Sequence, residues 1–161
     1  MTTGSCRRRA EPRRMLAALA VGAALLLEAC APQIIMRGTE SVSPRLDGER
    51  FIADDGVEMR VRLWLPDGRP GSVVIAVHGM NEHGKAFEWP AEIWRDNGIV
   101  TYAFDQRGFG RSPDRGIWPG AENLARDLTQ FTRQVRARHP DLPIFLLGEV
   151  RNGADPTGEI D

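Results

Sequence analysis

The sequence predicts an α/β chain in which a β-hairpin is followed by parallel strands joined by crossover helices. Three observations predict it. Two runs flank Asp54-Asp55-Gly56, and the apolar-polar alternation of the second is the pattern of a hairpin with one buried face. Val73-Val74-Ile75-Ala76-Val77 is an unbroken, largely β-branched run, expected of a strand covered on both faces. From that run onward, strand-like and helix-like segments alternate, which implies βαβ units with right-handed crossovers. A chain of 161 residues has room for one domain, whereas larger single-domain α/β folds run to roughly 200–250 residues. The chain is therefore expected to hold part of a domain.

In the hairpin, residues 50–53 form one strand and residues 59–65 the other, with Met59, Val61, Leu63 and Leu65 on the inner face and Arg60, Arg62 and Trp64 on the outer. Pro66-Asp67-Gly68 ends it. Residues 89–97 are expected as a short helix, with Pro90 at a tolerated early position and Asn97-Gly98 as the stop. Residues 99–104 form the next strand. Residues 122–139 make the strongest helix: Leu124, Leu128, Phe131 and Val135 recur at helical spacing. Its acids, Glu122 and Asp127, come early and its bases, Arg133, Arg136 and Arg138, come late, matching the helix dipole. Pro140 ends it, and Ile144-Phe145-Leu146-Leu147 is the last strand, running into Gly148-Glu149.

The ends of the chain read differently. Arg7, Arg8, Arg9, Arg13 and Arg14 precede a run of apolar residues, 15–27, too short for the roughly 20 residues of a spanning helix and suited to an export signal. Beyond residue 29 there remain 16 basic and 20 acidic groups, without a basic stripe, so nucleic-acid binding is not expected. Leu27-Glu28-Ala29-Cys30 resembles the lipobox of bacterial lipoproteins, although Glu28 stands where a small or apolar residue is usual. That resemblance implies that residues 1–29 are removed and that Cys30 is acylated. The protein would then be exported and held on a bacterial membrane, facing the periplasm or cell exterior. The cysteines are Cys6 and Cys30, so the mature chain is expected to have no internal disulfide. Residues 30–48 are polar, contain Ser and Pro and have no period, which suits a tether. The folded part is then expected over residues 49–149. Residues 150–161 carry Asn152-Gly153, Asp155-Pro156 and Thr157-Gly158, turn and disorder signals where a helix is due. A frame shift or truncation after Glu149 would produce that change.

Two further segments complete a pattern. His78-Gly79 follows the first buried strand, with Glu82-His83 close behind, and Asp105-Gln106-Arg107-Gly108-Phe109-Gly110-Arg111-Ser112 follows the second. The order strand, H-G-x-x-E-H, helix, strand, D-x-R-G-x-G-x-S, helix, strand, G-E resembles the α/β-hydrolase superfamily. Within it, the chain is most similar to the monoacylglycerol lipase, lysophospholipase and serine aminopeptidase S33 group. The likeness covers about residues 51–149, the N-terminal half of such a sheet.

The resemblance implies acyl transfer by a serine nucleophile on a strained strand-to-helix turn, a histidine base, an acid to orient it, and two N–H donors for the oxyanion. The family places its nucleophile directly after Gly148-Glu149, where this chain has Val150, and its acid and catalytic histidine further on. No triad residue is therefore expected here, and the chain as written is expected to be inactive. The resemblance assigns the first oxyanion donor to the backbone N–H of Met80, in a loop made by His78, Gly79, Met80, Glu82 and His83. Glu82 and His83 brace that loop, and His139 caps carbonyls at a helix end. Glycines at 108 and 110 let the Asp105–Ser112 segment turn under the oxyanion loop, and Asp105 and Arg107 can satisfy loop backbone groups. A dinucleotide site would need glycine at 113, which is Pro113. Neither a metal nor a cofactor is expected. The substrate class implied is a carboxylic ester of a lipid, a monoacylglycerol or lysophospholipid. A relative with an aspartate nucleophile, such as a dehalogenase, shares the same first half. The alternative from another class is a non-catalytic lipoprotein module whose half-sheet binds or assembles. With so much of a parallel sheet left uncovered, residues 49–149 alone are expected to be marginally stable.

Overall fold

The computed structural model describes residues 34–149, which belong to one compact unit that begins at Ile34. The expected signal segment, Cys30, Val150 and the tail lie outside the described residues. The described elements are β1 (Arg45–Asp47), β2 (Arg50–Ile52), β3 (Glu58–Trp64), β4 (Ser72–Val77), a 3-10 turn (Gly84–Phe87), α1 (Glu88–Asp96), β5 (Ile99–Phe104), α2 (Ala121–Arg138) and β6 (Ile144–Gly148). They form a six-stranded mixed sheet in the order β1-β2-β3-β5-β4-β6.

The hairpin pairs with Phe51 opposite Met59, and it joins the rest of the sheet through antiparallel pairing of β3 with β5. Strand β4 runs parallel to β5 on one side and to β6 on the other. The chain thus steps from β4 outward to β5 and then back across β4 to β6. Two consecutive right-handed crossovers in opposite directions put their helices on opposite faces of the sheet.

The packing follows. On one face Phe51, Met59, Val61, Val73, Ile75, Val100, Tyr102 and Phe104 meet Phe131 and Val135 of α2. Phe131 anchors this layer, with ring centroids 4.5 Å from Phe104 and 5.2 Å from Phe51. On the other face Ala76 and Ala103 leave room for Phe87, flanked by Trp64, Val74 and Trp94 of α1.

Several expectations need correction. Residues 34–48 are no free tether. Ile34 bridges to Trp118, Ile35 is buried, and Arg45–Asp47 is a strand on β2. The folded body therefore begins well before residue 49, because apolar side chains at 34 and 35 and the cation of Arg37 find partners that no local pattern announces. Leu63 and Leu65 are exposed rather than buried, since the strand passes beyond the cover of α2, while Trp64 of the opposite face is the one that packs. Strand β6 stands at the edge of the described sheet, with Phe145, Leu146 and Leu147 at 58%, 57% and 40% exposure.

Candidate active site

The parallel strands β4, β5 and β6 end at Val77, Phe104 and Gly148, and the segments that follow them converge. In open α/β sheets ligands bind in this position, outside the carboxyl ends of strands where the strand order reverses. Here that reversal is at β4. A cleft of about 170 Å³ lies there, lined by His78, Gly79, Met80, Gln106, Phe109, Trp118, Leu124 and Glu149. It is smaller than the roughly 300–1,000 Å³ of a pocket that encloses a drug-sized ligand.

The loop after β4 carries the first wall. Glu82 N–H donates to Gly79 O at 3.2 Å, closing a turn whose third residue, Asn81, has φ 65°. A type II turn requires φ above zero there, and Asn tolerates it better than most residues. Among the described residues no acceptor takes the Met80 N–H. His83 begins the next turn: its Nδ1 accepts from Lys85 N–H at 3.2 Å and its backbone O from Ala86 N–H. His83 thus holds the turn that carries the loop into α1.

His78 is 3% exposed. Its Nε2 accepts from Gln106 N–H at 3.0 Å, and its Nδ1 lies 2.9 Å from Gly79 O. Burial holds the imidazole below its ordinary pKa, against the opposing pull of the Gly79 carbonyl and the Asp105 charge, so it is neutral at pH 7. The ring is a bracket of the loop and stands edge-on to Phe109 at 5.7 Å.

Asp105 is fully buried and does what the sequence suggested. It accepts from Gly84 N–H and Arg111 N–H, both at 2.9 Å, and pairs with Arg62 at 2.6 Å. Burial alone would raise its pKa, but these two N–H groups and the Arg62 cation outweigh it and keep the carboxylate ionised. The loop folds around it so tightly that a Cβ on Gly110 (φ 57°) would sit 2.5 Å from the carboxylate. Gly108 is equally constrained, its missing Cβ 2.4 Å from Ile117 O. Ser112 is buried, its N–H on Phe109 O, and its Oγ has no partner among the described residues.

Arg107 departs from expectation. Its guanidinium does not serve loop backbone. It pairs with Asp55 at 2.8 and 3.0 Å and with Asp127 at 2.8 and 3.0 Å. Asp127 also takes Arg37 at 3.0 Å, and Asp54 binds both Arg37 and Arg126. Arg126 also pairs with Glu40. Burial opposes ionisation of Asp54, but hydrogen bonds from Arg37 and Arg126 win and hold its pKa at about 2. This cluster ties the N-terminal strand-like segment, the hairpin turn and α2 to the D-x-R-G segment. Its members Arg37, Asp54, Asp55 and Asp127 carried no motif that would have marked them.

The cleft residues Gln106, Phe109, Trp118 and Leu124 were likewise unmarked. Trp118 lies edge-on to Phe109 at 6.4 Å, and Ile35 N–H bonds to its carbonyl. His139 does not cap with its side chain: its backbone N–H closes the helix end, and its Nε2 lies 2.9 Å from Tyr102 OH. Glu149 N–H donates to Val77 O at 2.9 Å, so the chain leaves β6 directly beside the loop His78–Met80. Among the described residues no helix is long and apolar enough to cross a membrane, and no group of three or more His, Cys, Asp or Glu could hold a metal ion.

Comparison with known proteins agrees with this geometry. The family described as serine aminopeptidase, S33 matches residues 68–150. The monoglyceride lipase of Rattus norvegicus is 30% identical over 119 residues, covering 73% of this chain and 39% of the relative. The monoacylglycerol lipase of Mycolicibacterium smegmatis is 31% identical, covering 70% of this chain and 40% of the relative. Among solved structures, a lipase in its open form superposes with TM-score 0.57 at 27% identity, covering 64% of this chain and 36% of that one. The chain thus spans about two fifths of the length of the curated relatives it matches. With the strand order, the H-G loop and the D-x-R-G-x-G-x-S turn all in place, the chain belongs to the serine aminopeptidase S33 family of α/β-hydrolases.

Proposed function

We propose that the chain is the oxyanion-loop half of a serine hydrolase whose substrates are carboxylic esters of glycerolipids, monoacylglycerols or lysophospholipids. One observation carries this reading. Glu149, the residue before the family's nucleophile position, leaves β6 beside the loop that carries Met80 and lines one cleft with it, and the Met80 N–H is the donor suited to a developing oxyanion. Removing one such donor from an acyl-transfer site costs roughly 2.7–4 kcal/mol of transition-state stabilisation. In this sequence position 150 is Val and no serine follows Ser112. The 161-residue chain accordingly does not hydrolyse esters by this route.

The lipobox-like Leu27-Glu28-Ala29-Cys30 supports export and acylation of Cys30, which would bring the protein to the membrane where its lipid esters reside. Metabolic labelling with a radioactive fatty acid, lost in Cys30→Ser, tests the anchor.

The test of the enzymatic reading is to read the gene past codon 149 in all three frames and to assay monoacylglycerol hydrolysis. A frame with Ser-x-Gly after Gly-Glu and later Asp and His, whose product hydrolyses the ester while the 161-residue chain does not, supports it. Hydrolysis by the 161-residue chain above a buffer blank overturns the inactivity, and absence of any such frame removes the hydrolase reading. A second reading, a non-catalytic lipoprotein module, is favoured by the edge position of β6. A monodisperse monomer in light scattering, with residues 144–147 resistant to protease, would support it.

A further inference from the structure

We propose that His78 and Gln106 are positioning residues that lock the plane of the Gly79–Met80 peptide, and with it the direction of the Met80 N–H. The proposal deepens the hydrolase reading above and rests on it for the role of that N–H.

The lock follows from two backbone groups whose hydrogen-bonding roles are invariant. Gln106 N–H can only donate, so the His78 Nε2 that it meets at 3.0 Å is the unprotonated nitrogen. In a neutral imidazole the other nitrogen then carries the proton. That Nδ1–H lies 2.9 Å from Gly79 O, which can only accept. One face of the network therefore assigns the tautomer, and the other uses it.

The Gln106 side chain makes the arrangement one-way. Its amide nitrogen donates to His78 O at 2.7 Å, which places the amide with its N–H toward the H-G strand end; the flipped amide would set oxygen against oxygen. The same amide nitrogen lies 3.3 Å from Nδ1, a spacing at which two N–H groups do not bond, leaving Nδ1–H to Gly79. The strand end after β4 and the segment after β5 are thereby stitched by both the backbone and the side chain of one residue.

The consequence falls on the next peptide. No described peptide bond is cis, and in a planar trans peptide the C=O and N–H point in opposite directions. Gly79 O is held by two donors, His78 Nδ1–H and Glu82 N–H. Rotating the Met80 N–H away from its present direction would break both bonds at once. The loop cannot rely on the Met80 side chain for this, since that side chain is 60% exposed.

The experiment uses the full 161-residue chain labelled with 15N, at pH 8. Long-range 1H–15N correlation of the His78 ring is expected to show a protonated-type Nδ1 and an unprotonated-type Nε2. The opposite tautomer, or rapid averaging of the two, overturns the proposal. In His78→Leu the Glu82 amide should exchange with solvent about tenfold faster, as expected for a turn that has lost one of its bracing hydrogen bonds, and the Met80 amide resonance should move. His78→Asn, whose Nδ2 stands where Nδ1 did, should restore both. If His78→Leu does not fold, the tautomer in the unaltered chain decides the matter alone. Rescue by Asn separates a specific donor from mere filling of space, because Asn has the same heavy-atom branching as Leu and fills less space. Failure of the hydrolase reading would leave the tautomer result standing, and an Nε2–H tautomer would sink the lock whatever the gene encodes beyond codon 149.

Discussion

Around β5 the sheet is sealed: Phe51, Phe104 and Phe131 fill one face, and behind them Arg107, Asp55 and Asp127 bury charge against charge with almost no exposure. Two strands away, β6 carries Phe145, Leu146 and Leu147 well exposed. Both regions are β-structure of similar apolar content, so strand propensity does not distinguish them. What differs is whether other elements reach them. The sealed region draws on segments from five places in the sequence, residues 35–37, 51–55, 59–61, 102–107 and 127–135, while among the described strands β6 has β4 alone beside it. The D-x-R-G segment thus sits on a rigid base, and the candidate site lies on the border between this base and the open edge.

The largest effect that would break this contrast is expected at Arg107. Arg107→Ala takes from the buried Asp55 and Asp127 the cation they share and leaves Arg37 as the remaining one, which should cost about 3–5 kcal/mol, read as a shift in the denaturation midpoint or as loss of the folded state. A change below 1 kcal/mol would mean that the cluster is not the base described. Next comes Gly110→Ala, where the new Cβ meets the Asp105 carboxylate at 2.5 Å with φ 57°. Overpacking of this kind costs about 1–3 kcal/mol, and the Gly84 and Arg111 amides should lose protection from hydrogen exchange first.

Acid offers a third handle. Asp54 has its pKa held at about 2, and Asp55 and Asp105 are also below their usual value. For each, burial alone would raise the pKa and the arginines and N–H groups overcome it. A carboxylate whose folded-state pKa is depressed binds protons more readily when unfolded, so stability falls as pH falls. The contribution is complete above roughly pH 4–5, beyond the unfolded value near 3.9, and is lost as pH descends through the folded values. Denaturation midpoints at pH 7, 4 and 2.5 check this, with a flat profile counting against the cluster. The smallest effect on stability belongs to β6. Phe145→Lys should change stability by no more than about 0.5 kcal/mol, as at exposed positions generally. It should reduce self-association measurably by light scattering, because exposed apolar edges pair with other chains. A loss of several kcal/mol would show that Phe145 is covered in solution.

The legible part of the molecule was that in which a local period coincides with burial. Strand β4 reads as buried from five consecutive apolar residues, and α2 shows its inner face through Phe131 and Val135. The H-G and D-x-R-G-x-G-x-S segments marked the loops that meet at the site. Leu63 and Leu65 were read on the inner face because alternation identifies which residues share a face and not how far a neighbouring helix extends over it. Asp127 reads in the sequence as an early acid that matches the helix dipole, and in the fold it is 1% exposed and holds Arg107. A charge at helical position looks the same in sequence whether its partner is water or an arginine 20 residues away. Residues 34–48 read as a tether because their apolar and charged groups have no period, whereas their partners Trp118, Asp54 and Asp127 lie at long range.

The α/β class, the existence of the hairpin, the two loops at the strand ends and the absence of a hydroxyl at position 150 could all be read from the sequence, because each depends on residues close together in the chain. Tertiary structure alone decided that Arg107 serves two distant carboxylates, that the N-terminal segment buttresses Trp118, and that His78 meets Gln106 through its unprotonated nitrogen. Those depend on which side chains a six-stranded sheet brings within about 3 Å, the range at which a hydrogen bond forms, and a linear pattern carries no such distances.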